Sequence, residues 1–167
     1  ETMKITVTGS FARGVCMRDF LTFLVGKLGA DGMFFKAVEF YGETIEKSSL
    51  ADRITLCSMV TEMSGKVGLI MPNGEVLDWL VKRAGTEVLD RVQALKADPD
   101  AVYSDDLHFD VSKLEPMASC PDAPDNVKTV REAAGAHIDQ VHIGSCSNGR
   151  FEDIAAAFEV LKAANFQ

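Results

Sequence analysis

The stretch Ile143-Gly144-Ser145-Cys146-Ser147-Asn148-Gly149-Arg150 reads as a joint between two kinds of secondary structure. Ahead of it, Val141-His142-Ile143 alternates apolar and polar and reads as a short strand. Behind it, Phe151 opens a strongly helical segment with Glu152 and Asp153 in the first turn, where negative charge complements the helix dipole. A cysteine among small residues, between the end of a strand and the start of a helix, stands where α/β proteins place ligands. Gly144 and Gly149 allow a backbone to come close to a bound group. Amides at the start of the Phe151 helix are expected to point into the loop and favour a thiolate at Cys146. A tight turn around a small buried cysteine explains the same residues equally well. One thiol makes no metal site, so the rest of the chain has to decide.

Working outward, the pattern alternates strand and helix, which indicates the α/β class. Strands are expected at Lys4–Thr8, Met33–Phe40 and Val67–Met71. Met17 to Leu28 carries an apolar stripe at helical spacing, stopped by Gly29. Ser49 and Asp52 form a weak capping box for a helix reaching about Met63. Val76–Ala84 and Glu87–Lys96 read as two short helices after the Pro72-Asn73-Gly74 turn. Between Asp98 and Asp125 aspartates, prolines and isolated apolar residues dominate, so irregular structure is expected, with room for a strand at Leu107–Val111. Asn126–Ala134 reads as a helix. The organisation that follows is an α/β domain over 1–100, a crossing segment over 101–125, and the start of a second α/β domain over 126–167, which carries the Cys146 loop.

The chain has 167 residues, 47% apolar and 25% charged, with formal net charge -8. That balance suits a globular core and argues against nucleic acid, which wants a basic face. No apolar run is long enough to span a bilayer. Cys16, Cys57, Cys120 and Cys146 are widely separated and make no C-x-x-C pair, so neither a zinc module nor a disulfide framework is expected. A reducing cytoplasm is the natural setting, and Cys57 reads as a core residue.

Ser58 and Glu62 stand four apart and share a helix face, a pairing that could do acid–base work or hold a polar substrate. A solvated glutamate near a helix end is the plainer alternative. Glu39 lies late in an apolar strand before Gly42, a functional position or an edge-strand charge. His108, His137 and His142 show no ligand spacing, and His142 reads as structural.

These residues reach a family. Ile143-Gly144-Ser145-Cys146-Ser147-Asn148-Gly149-Arg150, with Glu152-Asp153, resembles the signature I-G-S-C-T-N-G-R-x-E-D of the aconitase superfamily, and within it the large subunits of 3-isopropylmalate dehydratase and homoaconitase. Only Ser147 departs, and it keeps the hydroxyl of the usual Thr. Glu1-Thr2-Met3-Lys4 is similar to a P-E-T-x-K segment, which suggests further sequence upstream. Val38-Glu39-Phe40-Tyr41-Gly42-Glu43 resembles an E-F-x-G turn. Arg53-Ile54-Thr55-Leu56-Cys57-Ser58-Met59 through Glu62 resembles an R-x-T-I-C-N-M-x-x-E helix, with Ser58 in place of the usual Asn.

The resemblance implies a three-layer α/β/α fold and a hydro-lyase with a [4Fe-4S] cluster, acting on a small hydroxy-carboxylate by dehydration and rehydration. Cys146 matches one of three cluster ligands. The other two belong to a downstream C-x-x-C outside this chain, so the isolated chain is expected to be inactive and without an intact cluster. Glu62 matches a catalytic carboxylate. Ser58, Asn148 and Arg150 are expected at the substrate. A small subunit, the swivelling domain that carries the family's catalytic serine, is the implied partner; neither nucleic acid nor a membrane is. 3-Isopropylmalate dehydration in leucine biosynthesis leads, with homocitrate, citrate and dimethylmalate enzymes as alternatives. From another class, the rival is a non-catalytic binding module that kept the fold, to which Ser58 lends weight.

Overall fold

Strand β1 (Thr2–Thr8) alternates strictly: Met3, Ile5 and Val7 are buried, while Lys4 and Thr6 are only partly covered. That period of two gives the sheet an apolar face and a polar face. A computed structural model describes residues 1–93 and 95–164. After β1 come α1 (Met17–Leu28), β2 (Ala37–Tyr41), α2 (Glu43–Glu46), α3 (Leu50–Met59), a 3₁₀ turn (Val60–Met63) and β3 (Val67–Leu69). Then follow α4 (Gly74–Ala84), α5 (Val88–Gln93), β4 (Asp105–Asp110), β5 (Met117–Ser119), β6 (Val127–Thr129), α6 (Val130–Ala133) and α7 (Phe151–Ala163).

Four strands form a parallel sheet in the order β3-β2-β1-β4. Ile5 pairs with Phe40 on one side and Leu107 on the other, so apolar residues line up across the strands. Phe20, Leu21, Leu24 and Val25 of α1 and Leu56 of α3 cover this face, joined by Met59, Val60 and Met63. Each such side chain, fully buried, contributes about 1.5–3 kcal/mol. The opposite face carries Lys4, Glu39, Tyr41 and Asp106, joined by hydrogen bonds and an ion pair. The fold is α/β with a mainly parallel sheet, as expected.

Gly42 ends β2 at φ 101, and a Cβ there would run into the backbone of Val7. Only glycine allows the chain to turn into α2 this close to β1. Ser49 caps α3 as read from the sequence, accepting the Asp52 amide. Arg53 is buried at 6% exposure, and its guanidinium donates to the carbonyls of Ser48, Met71 and Glu46 and to Asn73 Oδ1. It thus ties α2 and α3 to the turn that starts α4.

The structure alters several expectations. Met33–Lys36 is a turn rather than the start of a strand. The amides of Met33 and Phe35 donate to Met63 and Ser64 carbonyls, and Phe35 sits at φ 60, which breaks an extended run. The stretch expected to be irregular holds a full strand of the main sheet, because β4 pairs with β1 over Met3–Thr8. Asn126–Ala134 is mostly not helical. Val127 and Thr129 pair antiparallel with Met117–Ser119, and the Thr129 hydroxyl accepts the Glu132 amide, so a helix begins only at Val130. Val141–Ile143 is not a strand, since no ladder partner meets it among the described residues. Position 94 of the expected helix Glu87–Lys96 and the last three positions of 126–167 lie outside the described residues.

The chain divides into two compact units, Glu1–Ala134 and Gly135–Gln167. The second unit is built around α7 and the loop ahead of it, with Phe151 and Phe158 exposed. No helix among the described residues is long and apolar enough to cross a membrane.

Candidate functional site

The Cys146 loop is closed by its own polar groups. Gly144 and Gly149 sit at φ 138 and 116, and Gly149 lies so near Gly144 that an added Cβ would press on its Cα. The Ser145 amide donates to the Asn148 carbonyl at 2.7 Å, and Ser145 Oγ accepts the amides of Ser147 and Asn148. Asp153, three residues into the capping position of α7, accepts the amides of Gly149 (2.9 Å) and Arg150 (3.0 Å) and the Asn148 side-chain amide (3.0 Å). Partial burial pushes the Asp153 carboxyl up, but these donors and the Arg150 charge outweigh it and hold the group below its ordinary value.

This closure corrects the picture of amides aimed at the thiol. The amides of residues 147 to 150 are taken by Ser145 and Asp153, because oxygen acceptors already stand within reach. Cys146 itself is exposed, not buried as the plain turn reading has it. Asn148 and Arg150 brace the loop, Asn148 through Asp153 and Arg150 through the Ser147 carbonyl at 2.8 Å. Ser147, the one departure from the signature, is buried at 2% exposure.

In the first unit, Glu62 is exposed and lies in the 3₁₀ turn that continues α3. The tighter turn changes its neighbours. A 3₁₀ helix eclipses residues three apart, so Glu62 comes into line with Met59 rather than Ser58. A recess of about 130 Å³ is accordingly lined by Met59 and Glu62, with Arg18, Thr22, Val25, Ser119 and Pro124. Ser58 donates its hydroxyl to the Thr55 carbonyl at 3.0 Å, bonding back along its own helix. Sequence reasoning missed Arg18 and Ser119 here, since only the packing of α1 against α3 and β5 assembles them.

Glu39 is on an inner strand, not an edge, and accepts both phenols, Tyr41 at 2.5 Å and Tyr103 at 2.8 Å. Burial and the Glu39 carboxylate push the Tyr41 phenol up. Lys4 lies 5.7 Å from both ring centroids, completing a braced polar cluster.

All four cysteines are free, and burial pushes the Cys57 thiol up to about 11 and raises that of Cys16. Among the described residues no three His, Cys, Asp or Glu side chains gather as a metal-binding group. Cys16 and Cys146 are exposed, and Cys57 and Cys120 are partly covered.

A family model for the aconitase family (aconitate hydratase) matches residues 1–137. The chain is 44% identical over 162 residues to the 3-isopropylmalate dehydratase large subunit 1 of Methanopyrus kandleri, covering 97% of this chain and 38% of the relative. It is 42% identical over 161 residues to a probable methanogen homoaconitase large subunit of Methanothermobacter thermautotrophicus, covering 96% and 37%. It is also 42% identical over 163 residues to the 3-isopropylmalate dehydratase large subunit of a Sulfurihydrogenibium species, covering 98% and 37%. The chain thus spans under two fifths of the length of these curated relatives.

Proposed function

The chain belongs to the aconitase family, and on that premise we propose that the whole protein is a hydro-lyase that moves the hydroxyl of a small hydroxy-carboxylate by dehydration and rehydration. The observation that carries this reading is the presentation of Cys146, an exposed thiol on a loop whose own polar groups are satisfied internally. A thiol so offered suits a ligand, and we assign Cys146 as one of three cysteine ligands to a [4Fe-4S] cluster. When bound, that group would supply a Lewis acid for the substrate's hydroxyl and carboxylate.

Glu62 is assigned to acid–base work, since its carboxylate is exposed at the rim of a polar recess. We place Ser58, Asn148 and Arg150 at the substrate's border. Asn148 and Arg150 would act there from a loop that they themselves brace. The names of the relatives favour 3-isopropylmalate, in leucine biosynthesis, over homocitrate, and a small subunit as the partner. The four free cysteines support a reducing compartment such as the cytoplasm. We read Glu1–Ala134 as one α/β domain and the residues from Gly135 on as the opening of the next.

The test uses the whole protein with its small-subunit partner, loaded anaerobically with iron and sulfide and assayed on 3-isopropylmalate, homocitrate and citrate. Wild type is expected to turn over one of them. Cys146→Ser is expected to lose the cluster's visible absorption together with turnover. Glu62→Gln is expected to keep that absorption and lose turnover by about 10²–10⁴-fold. Full turnover in Glu62→Gln, or unchanged absorption in Cys146→Ser, would overturn the assignments.

A further inference from the structure

We propose that Ser64 is the positioning residue for Glu62. Its left-handed backbone ends the turn that carries Glu62, and its hydroxyl pins that turn to the loop ahead of β2. The proposal rests on the reading of Glu62 above and adds what holds that carboxylate at the recess.

The need for a lock follows from burial. Val60 and Met63 are fully buried, while Thr61 and Glu62 between them are exposed. Residues three apart share a face in an α-helix as well as in a 3₁₀ turn, so burying Val60 and Met63 does not choose between the two. The choice matters for Glu62. The tighter turn aligns it with Met59 at the recess, and a further α-helical turn aligns it with Ser58 instead.

Ser64 makes that choice. It sits at φ 62 and ψ 17, where the chain cannot continue as a helix and where glycine is the usual occupant. Its amide donates to the Thr61 carbonyl at 3.1 Å, which closes the 3₁₀ pattern over Glu62. Phe35, at φ 60, is the other non-glycine residue with positive φ among the described residues. The Phe35 amide donates to the Ser64 carbonyl at 3.0 Å, and the Met33 amide donates to the Met63 carbonyl at 2.9 Å. Two strained residues thus meet across one hydrogen bond. Such strain persists where the surroundings over-determine it, and it gathers at sites that need a fixed geometry.

The side chain supplies the restraint that offsets the strain. Ser64 Oγ donates to Asp31 Oδ1 at 2.8 Å and shares the same proton with the Ala30 carbonyl at 3.1 Å. The bond to the carboxylate is charge-assisted, roughly twice as strong as a neutral one. Ala30 passes the restraint on. Its amide donates to Asp125 Oδ2 at 3.4 Å, and the neighbouring Pro124 lines the recess with Glu62. The turn that bears Glu62 and the wall formed by Pro124 are therefore fastened to the same loop residue.

The experiment uses the whole protein with its small subunit and cluster, assayed on whichever of 3-isopropylmalate, homocitrate or citrate wild type accepts. Ser64→Ala keeps the strain of a Cβ at φ 62 and loses the hydroxyl. It is expected to lower kcat about 10- to 100-fold, with KM changed less than about 3-fold and the cluster's visible absorption retained. Ser64→Gly should recover most of that loss, because glycine takes this backbone unaided. Ser64→Asn should recover it too, since asparagine tolerates the left-handed region and carries a donor. Asp31→Ala should lower kcat about 3- to 10-fold beside Ser64 but hardly at all beside Ser64→Gly, where no hydroxyl is left to hold. This pair decides the matter if Ser64→Ala fails to fold. In a Glu62→Gln background, Ser64→Ala should remove little of the residual turnover, because it acts through Glu62. Wild-type kcat in Ser64→Ala, no recovery in Ser64→Gly, or an undiminished loss in the Glu62→Gln background would overturn the proposal. Full turnover in Glu62→Gln, or no turnover of any of the three substrates by wild type, would instead refute the functional reading beneath it.

Discussion

Replacing Arg53 with leucine tests whether one buried cation holds the first unit together. The guanidinium reaches four acceptors on three segments: Glu46 O at 2.8 Å, Asn73 Oδ1 at 2.5 Å, Ser48 O at 3.2 Å and Met71 O at 3.3 Å. Burial pulls its pKa below the ordinary guanidinium value, while Glu46 and Cys57 push it back up. Leucine keeps part of the apolar stem but leaves the acceptors without their donor. Taking about 1.5 kcal/mol for each of the two short bonds, and nothing for the longer pair, sets a floor of about 3 kcal/mol. Losing one partner of a buried charge contact costs up to about 5 kcal/mol, which sets the ceiling. The assay is urea unfolding of residues 1–167 followed by circular dichroism and by the fluorescence of Trp79, the single tryptophan, on α4. With a slope of about 2 kcal/mol per molar, the midpoint should fall by about 1.5–2.5 M. Trp79 should report the change, because Arg53 holds Asn73 at the start of α4. Arg53→Lys should restore less than half, since an ammonium cannot span four acceptors. A midpoint shift below 0.5 M (about 1 kcal/mol at this slope) would refute the reasoning and mean that water replaces the guanidinium without loss.

Other outcomes follow from the same geometry. Gly42→Ala should cost more than about 2 kcal/mol in thermal melts, because φ 101 and the Val7 backbone both oppose a Cβ. Gly14→Ala, at φ 85 in open space, should cost only about 1 kcal/mol, and equal costs would show that the Val7 contact is unimportant. Because the Asp153 carboxyl is held below its ordinary value, its loop contribution is present above about pH 4 and is lost as pH falls through the lowered value. Protection of the Gly149 and Arg150 amides, taken relative to the intrinsic exchange rate at each pH, should therefore hold at neutral pH and fall only in strong acid, and Asp153→Asn should remove that dependence. At pH 8, alkylation followed by mass spectrometry should modify exposed Cys146 at least tenfold faster than Cys57, whose thiol is pushed up to about 11 by burial; similar rates would mean that Cys57 is open to solvent. Residues 1–167 mixed anaerobically with iron and sulfide should hold no stable four-iron cluster, and a brown protein with four irons per chain would contradict the one-ligand assignment of Cys146.

Amino-acid order alone was enough for the α/β class, the α1 stripe from Met17 to Leu28, the Ser49 cap and the family. Each rests on residues near one another in the chain, where periodicity, capping and motif spacing act. It also marked Cys146 and Glu62 as candidates, because their motifs are local. What it could not set were the features made by partners far apart in sequence. β4 reads as irregular until Leu107 pairs with Ile5, and Val141–Ile143 reads as a strand although nothing among the described residues pairs with it. Glu39 looks like an edge charge until β3 flanks β2 and two phenols close on its carboxylate. The helical spacing of Ser58 and Glu62 fails because the chain tightens after Met59, and the recess then takes Met59 and Glu62 together. Arg18 enters that recess only because α1 packs on α3 around Phe20, Leu21 and Leu56, a burial that the apolar pattern demands but cannot aim. Local sequence determined which elements form. Burial of a shared apolar face decided which distant side chains meet, and with them the chemistry assigned to the site.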